Sequence, residues 1–372
     1  MERGDTAGVV ALVTSPDHVL YEGTAGRLAA SHDSAMPADA IFWIASMTKP
    51  VTSVAAMQLV EQGKMNLDDP VSKYLPGFDN LKVITKFNKD DTYETRPAKR
   101  VMTIRHLLTH TSGIGYGFAN AIVRRLTEPT KLDEWKIPLL SDPGEEWHYG
   151  ASTAVLGMVV EKVSGQSLED YFQEHIFRPL KMTDTSYAVP LPKQYRVAAI
   201  HRRVNGALEE IPRRHPIAAA PTPPFFGDGG LYSTAQDYGK FLRMILNEGR
   251  LDDARILDAR SVREMEQNNI GSIFVELQPA ADPSLTEPFP LGAGYDKFGL
   301  GFQIAAGEHR YAQYRSAGSL SWAGIYNTEF WIDPKKRIAA VVMMQESPFY
   351  DAGAIRTLRD FERQVYLSLP RS

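Results

Sequence analysis

Apolar runs at the two ends of the chain, separated by mainly helical sequence, place the tightest limit on what it can fold into. Residues 8–14 (Gly-Val-Val-Ala-Leu-Val-Thr) and 18–22 read as two strands joined by a turn at Ser15-Pro16-Asp17. Residues 326–332 and 337–344 read as a hairpin across Asp333-Pro334-Lys335-Lys336. Between them, helical periodicity is predicted at about 46–62 and about 152–164, and from the cap Ser167 to about Phe177. A further amphipathic helix, capped by Ser233 or Thr234, carries Tyr238, Phe241, Leu242, Ile245 and Leu246. A last one at about 352–367 places Ile355, Leu358, Phe361 and Val365 on one side. Strands at both ends with helices between predict an α/β (α+β) domain with a helical insertion. Residues 1–75 and 226–372 are assigned to the α/β part, and 76–225 to a mostly helical inserted lobe. Within the lobe, 79–100 reads as a polar surface excursion and 186–225 as proline-rich, basic loop with short strands.

Composition narrows the chemistry. The 372 residues carry a net charge of -4 with no long basic run, which argues against nucleic acid or an anionic membrane as the main partner. Without cysteine there is no thiolate nucleophile, disulfide or cysteine-ligated metal. No apolar stretch of signal-peptide length follows Met1-Glu2-Arg3-Gly4-Asp5, and nothing later is apolar for the roughly 18 residues of a membrane helix. A cytoplasmic protein is expected, or a periplasmic or secreted one if a leader was removed.

Ser46-Met47-Thr48-Lys49 follows the strand-like run Ile41-Phe42-Trp43-Ile44 and opens the first helix, whose stripe is Val51, Val54, Ala55, Gln58 and Leu59. Positions i and i+3 share a helix face, so the hydroxyl of Ser46 and the amine of Lys49 can meet. A serine hydroxyl is a weak nucleophile until a base takes its proton. An amine serves as that base when burial or a nearby cation favours its neutral form. A helix N-terminus adds partial positive charge and a backbone N–H for a developing oxyanion. Taken alone, Ser-x-x-Lys equally describes a capped helix start.

Longer blocks decide between those readings. Phe42 to Thr52 (Phe-Trp-Ile-Ala-Ser-Met-Thr-Lys-Pro-Val-Thr) resembles the serine β-lactamase-like family, which includes class C β-lactamases, D-alanyl-D-alanine peptidases and family VIII carboxylesterases. The resemblance continues through 59–71, through Thr103 to Gly113 (Thr-Ile-Arg-His-Leu-Leu-Thr-His-Thr-Ser-Gly), and through Pro143-Gly144-Glu145-Glu146-Trp147-His148-Tyr149. It implies a β-lactamase/transpeptidase-like fold, a mainly antiparallel sheet flanked by helices with the active site beside an inserted helical lobe. It also implies that Ser46 is the nucleophile, Lys49 its base, and Tyr149 the second-motif tyrosine acting as base and then as acid to the leaving group. Family members usually have a helix ahead of the strand near Gly8; either it is absent here or the start codon was placed late.

Two departures from the β-lactamase pattern shift the expected substrate. The Lys-Thr-Gly or His-Thr-Gly tripeptide is replaced by Trp322-Ala323-Gly324, followed by Ile325, which resembles the W-x-G version of family VIII esterases and related acyltransferases. This strand is expected to donate a backbone N–H to the oxyanion from Ile325 or, in another register, from Trp322. It lacks the cation that holds a β-lactam or peptide carboxylate. Ala151 stands where class C enzymes place an asparagine that contacts the substrate amide. A site without both groups suits esters better. The expected activity is carboxylester hydrolysis through an acyl-enzyme on Ser46, with no metal or cofactor and a small-molecule ester as partner. Acyl transfer to an alcohol stands second, since Trp147 to Ala151 also resembles fungal polyketide acyltransferases, and β-lactamase or D-Ala-D-Ala peptidase activity third.

Other motifs read as structural. Ser152, in Gly150-Ala151-Ser152-Thr153-Ala154, departs from G-x-S-x-G and is expected to start a helix. His106 and His110 are spaced like a metal pair but lack the glutamate of H-E-x-x-H, so packing near the site is expected. Gly227-Asp228-Gly229-Gly230 reads as a tight turn near the pocket. Tyr116, Phe118, Trp135, Trp147, Phe225, Phe226, Trp322 and Tyr326 cluster around the motifs without individual roles.

Overall fold

The apolar runs from the two ends of the chain meet in one antiparallel sheet. The computed structural model describes residues 4–31, 33–213, 216–290, 292–307 and 314–370. The strands are β1 (Gly8–Thr14), β2 (Val19–Gly26), β3 (Lys297–Phe298), β4 (Gln303–Ile304), β5 (Leu320–Gly324), β6 (Thr328–Asp333) and β7 (Ile338–Met343). Their order across the sheet is β3-β4-β5-β6-β7-β1-β2. The β1–β7 ladder, with Leu12 opposite Val341, joins the N-terminal hairpin to the C-terminal one.

β7 reads as an unbroken apolar run, and β6 carries Phe330-Trp331-Ile332, because both sheet faces are covered. On one face Val10, Leu12, Phe330, Ile332, Val341 and Met343 enter the main core. On the other, Ala11, Val13, Trp331, Ala340 and Val342 meet Ile355, Leu358 and Val365 of the C-terminal helix Ala352–Ser368. Strand side chains alternate faces, so one strand feeds both cores. Of the predicted stripe, Phe361 is only partly buried and packs edge-on to Trp331, with ring centroids 6.2 Å apart.

On the main-core side lie α1 (Thr48–Glu61), α2 (Ser152–Ser164) and α3 (Ala235–Leu246); the C-terminal helix is α4. The α1 stripe understates its burial, since every residue from Thr48 to Leu59 is buried. Its inward polar groups therefore need partners: Thr52 donates to Gly227 O at 2.6 Å and Gln58 to Ile256 O at 3.0 Å. Thr234 caps α3, accepting from Asp237 N at 3.1 Å. Ser167 caps a helix over Leu168–Phe172 that continues as one π turn to Phe177.

Residues 76–225 hold more strand than the sequence pattern suggests. The polar stretch folds as a hairpin, Lys82–Phe87 with Tyr93–Pro97, and a second hairpin pairs Ile200–Val204 with Ala207–Ile211. The first escaped pattern reading because most of its side chains are exposed or half-exposed and show little apolar alternation. It is tied down by Asp142, which accepts from the Arg96 guanidinium at 3.0 and 2.6 Å and from Lys99 N at 2.7 Å. Arg214 and His215 of the basic loop, and Met1 to Arg3, lie outside the described residues. Among the described residues no helix is long and apolar enough to cross a membrane.

Glu346, just past β7, anchors the chain ahead of β1, accepting from Thr6 Oγ1 and, at 2.7 Å, from Ala7 N. Burial outweighs these donors and pushes its carboxyl up to about 7. Because the folded protein favours the neutral form, this group's contribution to stability is greatest below its unfolded value near 4.5 and falls as pH rises toward and through about 7. Urea unfolding at pH 5 and pH 8.5 should therefore show Glu346→Gln closing part of the gap between the two; an unchanged gap would contradict the assignment.

Candidate active site

The chain enters the site under backbone strain. Phe42–Trp43 pairs with Tyr232–Ser233, Ile44 N donates to Leu231 O at 2.9 Å, and Ala45 then takes a left-handed conformation at φ 44°. Such a geometry is costly for a residue with a Cβ and persists only where the surroundings impose it. Ser46 consequently sits in a short 3₁₀ turn, Ala45–Met47, rather than on α1 itself, which starts at Thr48. The i to i+3 relation to Lys49 survives, since a 3₁₀ turn stacks those positions directly. Pro50 falls in the first turn of α1, where its missing N–H is harmless.

Three predicted residues meet here. Lys49 Nζ lies 3.0 Å from Ser46 Oγ, and Tyr149 Oη donates to the same oxygen at 2.7 Å. Lys49 is 2% exposed, and its Nζ also donates to the backbone carbonyl of Asp228 at 2.8 Å. The Tyr116 and Tyr149 rings lie beside it, with centroids 5.1 and 5.0 Å from Nζ. A cation over aromatic faces gains electrostatically, so these rings form a second layer around the amine. Tyr149 is positioned just before α2, in the segment that follows Pro143-Gly144.

β5 forms the opposite wall. Trp322 is buried edge-on to Tyr149 (centroids 5.0 Å) and stacked on His110 (6.1 Å). Gly324 ends the strand; a Cβ there would stand 2.4 Å from Ile44 O and 2.3 Å from Thr328 Oγ1. Only glycine lets the strand approach the turn that carries Ser46 this closely. Ile325 follows the last ladder pair, Gly324 opposite Thr328, and lines the pocket. Trp322 lies within the ladder, opposite Phe330, and lines the same pocket as Ile325 and Ser46. A narrow pocket of about 30 Å³ opens here, lined by Ser46, Tyr149, Trp322 to Ile325 and the rings of Phe118, Phe289 and Phe349. No Lys or Arg lines it among the described residues. Ala151 is buried at the α2 N-cap.

The remaining motifs take structural places. Ser152 is buried in the first turn of α2, 2.7 Å from Ser112 Oγ. His106 completes a capping box with Thr103, accepting Thr103 N at 3.1 Å, and burial pushes its imidazole down to about 4. His110 packs among Tyr149, Trp147, Phe298 and Trp322, and burial together with the nearby Lys49 charge holds it well below its ordinary value. It therefore supports the tyrosine as a neutral ring.

Besides the phenylalanine rings of the pocket, Tyr116 and Asp228 belong to the site although the sequence assigns them no role in it. Tyr116 donates to the Asp228 carboxylate, and burial with that carboxylate raises its phenol well above the ordinary value, so it is a proton donor here. Asp228 was visible only as the polar member of a glycine turn, and Tyr116 only as one aromatic among several. Their contact spans 112 residues of chain, and no local spacing reports it.

Known proteins match this chain along nearly its whole length. The family profile described as beta-lactamase covers residues 1–363. Protein Rv1367c of Mycobacterium tuberculosis is 33% identical over 93% of this chain and 88% of its own length. The monacolin J acid methylbutanoyltransferase of Aspergillus terreus is 30% identical over 87% of this chain and 81% of its own length. The lovastatin esterase of Penicillium rubens is 27% identical over 98% and 96%. Among solved structures, a mutant of the simvastatin synthase of Aspergillus terreus superposes with a TM-score of 0.82 at 27% identity, covering 98% of this chain and 91% of that one. These matches bear out the expected β-lactamase/transpeptidase-like fold, and the chain belongs to the beta-lactamase family, among relatives that include esterases and acyltransferases.

Proposed function

We propose that the protein is a serine carboxylester hydrolase working through an acyl-enzyme on Ser46. The observation that carries this reading is the meeting of Lys49 and Tyr149 on Ser46 Oγ beside an apolar pocket with no cation in its described lining. In the first step the Ser46 proton passes to the Lys49–Tyr149 pair as Oγ attacks the ester carbonyl. The backbone N–H groups of Ser46 and Ile325 receive the oxyanion. Tyr149 returns a proton to the departing alcohol, and water then releases the acid by the same route. With no ammonium or guanidinium in the described pocket lining to hold a substrate carboxylate, and with Ala151 unable to bind an amide, lactams and D-Ala peptides lose the contacts that would favour them.

Acyl transfer to an alcohol is the second reading. It is supported by the 30% identity to the methylbutanoyltransferase, and it differs from hydrolysis only in which hydroxyl attacks the acyl-enzyme. Hydrolysis of p-nitrophenyl esters and of nitrocefin, beside Ser46→Ala, tests the proposal. Esters are expected to turn over, with a loss of at least ~10³-fold in Ser46→Ala. Ester turnover that survives the substitution would sink the mechanism, and faster nitrocefin turnover would overturn the substrate class. Adding an alcohol acceptor with a thioester donor separates transfer from hydrolysis.

The close approach at Gly324 makes a second expectation. Gly324→Ala should displace the oxyanion strand from Ser46 and lower kcat by roughly 10²-fold, as misplacement of catalytic groups on the order of 1 Å does. An alanine variant with wild-type kcat would show that the approach is not needed.

A further inference from the structure

The strongest feature left unused by this mechanism is the Tyr116–Asp228 contact behind Lys49. A buried lysine on four rotatable bonds needs an acceptor to hold it against Ser46, and the group that does so is the Asp228 carbonyl at 2.8 Å. The same residue carries a carboxylate, yet among the described residues Lys49 makes no ion pair; the carboxylate takes the Tyr116 hydroxyl instead. The turn bearing Asp228 is glycine-rich on both sides and is fastened at its base by Thr52, which donates to Gly227 O at 2.6 Å. The Gly227 position is tight, since a Cβ there would lie 2.5 Å from Thr153 O. Turn and hydroxyl together choose which end of Asp228 faces the amine.

The choice matters for an amine that must act as a base. A backbone carbonyl accepts an N–H from the ammonium or from the neutral amine alike, so it orients without adding charge. A carboxylate within roughly 4–6 Å favours the charged form by about 1–3 pK units, and most when the two groups pair directly. From this geometry we infer that Tyr116 is a positioning residue: by engaging the Asp228 carboxylate it keeps that group from pairing with Lys49 and leaves the Asp228 carbonyl to hold the amine against Ser46. The other titratable groups around this pair are Glu134, Tyr149 and Tyr187, with His110 facing Lys49. Burial keeps the His110 ring neutral and holds Tyr187 protonated, so neither brings a competing charge.

The inference rests on the proposed roles of Ser46 and Lys49, and its test does not depend on the ester being the right substrate. The rate at which a fluorophosphonate labels Ser46 is measured from pH 5 to 10, beside p-nitrophenyl butyrate turnover. In labelling, Oγ bonds to phosphorus, fluoride leaves and the serine proton goes to the base. Tyr116→Phe frees the carboxylate to turn toward Lys49, so the rising limb of the profile should move up by about 1 pH unit or more. Asp228→Asn keeps both carbonyl acceptors without the charge, and its limb should stay at or below the wild-type pH. The double variant should return to the Asp228→Asn position, because no carboxylate remains to be held off. Circular dichroism melts establish that each variant is folded. A folded Tyr116→Phe whose limb stays in place, or a shift that Asp228→Asn fails to cancel, overturns the inference. A wild type that labels normally but hydrolyses no ester sinks the esterase reading while leaving this one measurable; absence of Ser46 labelling overturns both.

Discussion

A lysine side chain taken almost wholly out of water dictates how the centre of this molecule is arranged. An ammonium or amine at that depth needs acceptors at fixed positions, because an unpaired one would cost several kcal/mol. Ser46 Oγ and the Asp228 carbonyl meet that need, and the rings of Tyr116 and Tyr149 close the space around it. Each comes from a different stretch of chain: a strained 3₁₀ turn, a glycine turn, the segment after Gly113, and the segment leading into α2. The surrounding fold is the apparatus that brings those four stretches to one nitrogen.

The sheet supplies the rigid side of that apparatus. β5 is held by β4 and β6, and the whole array is clamped between α4 behind and the helical core in front. Gly324 then lets the strand end press against Ile44, so the pocket wall and the turn bearing Ser46 are placed by one contact. His110 and Trp322 extend the packing to Tyr149, so neutral rings fix its approach to Ser46 while the Lys49 amine lies over its face. Strain at Ala45 and tight approaches at Gly227 and Gly324 lie within this same region. Such clustering is typical of sites where geometry is imposed rather than relaxed.

Pattern reading worked where burial leaves a periodic trace. α2, α3 and α4 and the terminal strands were legible because apolar residues recur at their own periods, and caps such as Thr234 ahead of α3 and Ser167 ahead of Leu168–Phe172 mark helix starts. The hairpin at Lys82–Pro97 left little trace, since most of its side chains meet solvent and ordering comes from the distant Asp142. The extent of α1 burial was likewise hidden: Thr52 and Ser53 look like a solvent face until their partners at Gly227 and Lys49 are seen.

The sequence by itself determined the family-level fold, the three-residue spacing that lets Ser46 and Lys49 meet, and the absence of a basic residue from Trp322-Ala323-Gly324. These are local or near-local facts, carried by spacings of three residues and by residue identity. Tertiary structure alone decided that Ser46 lies on a 3₁₀ turn rather than on α1, that Trp322 and Ile325 line one pocket with Ser46, and that Asp228 presents its carbonyl to Lys49 while Tyr116 takes its carboxylate. The reason is physical: which end of a side chain faces a buried amine depends on groups more than a hundred residues apart being packed at van der Waals distance, and no spacing within the chain encodes that choice.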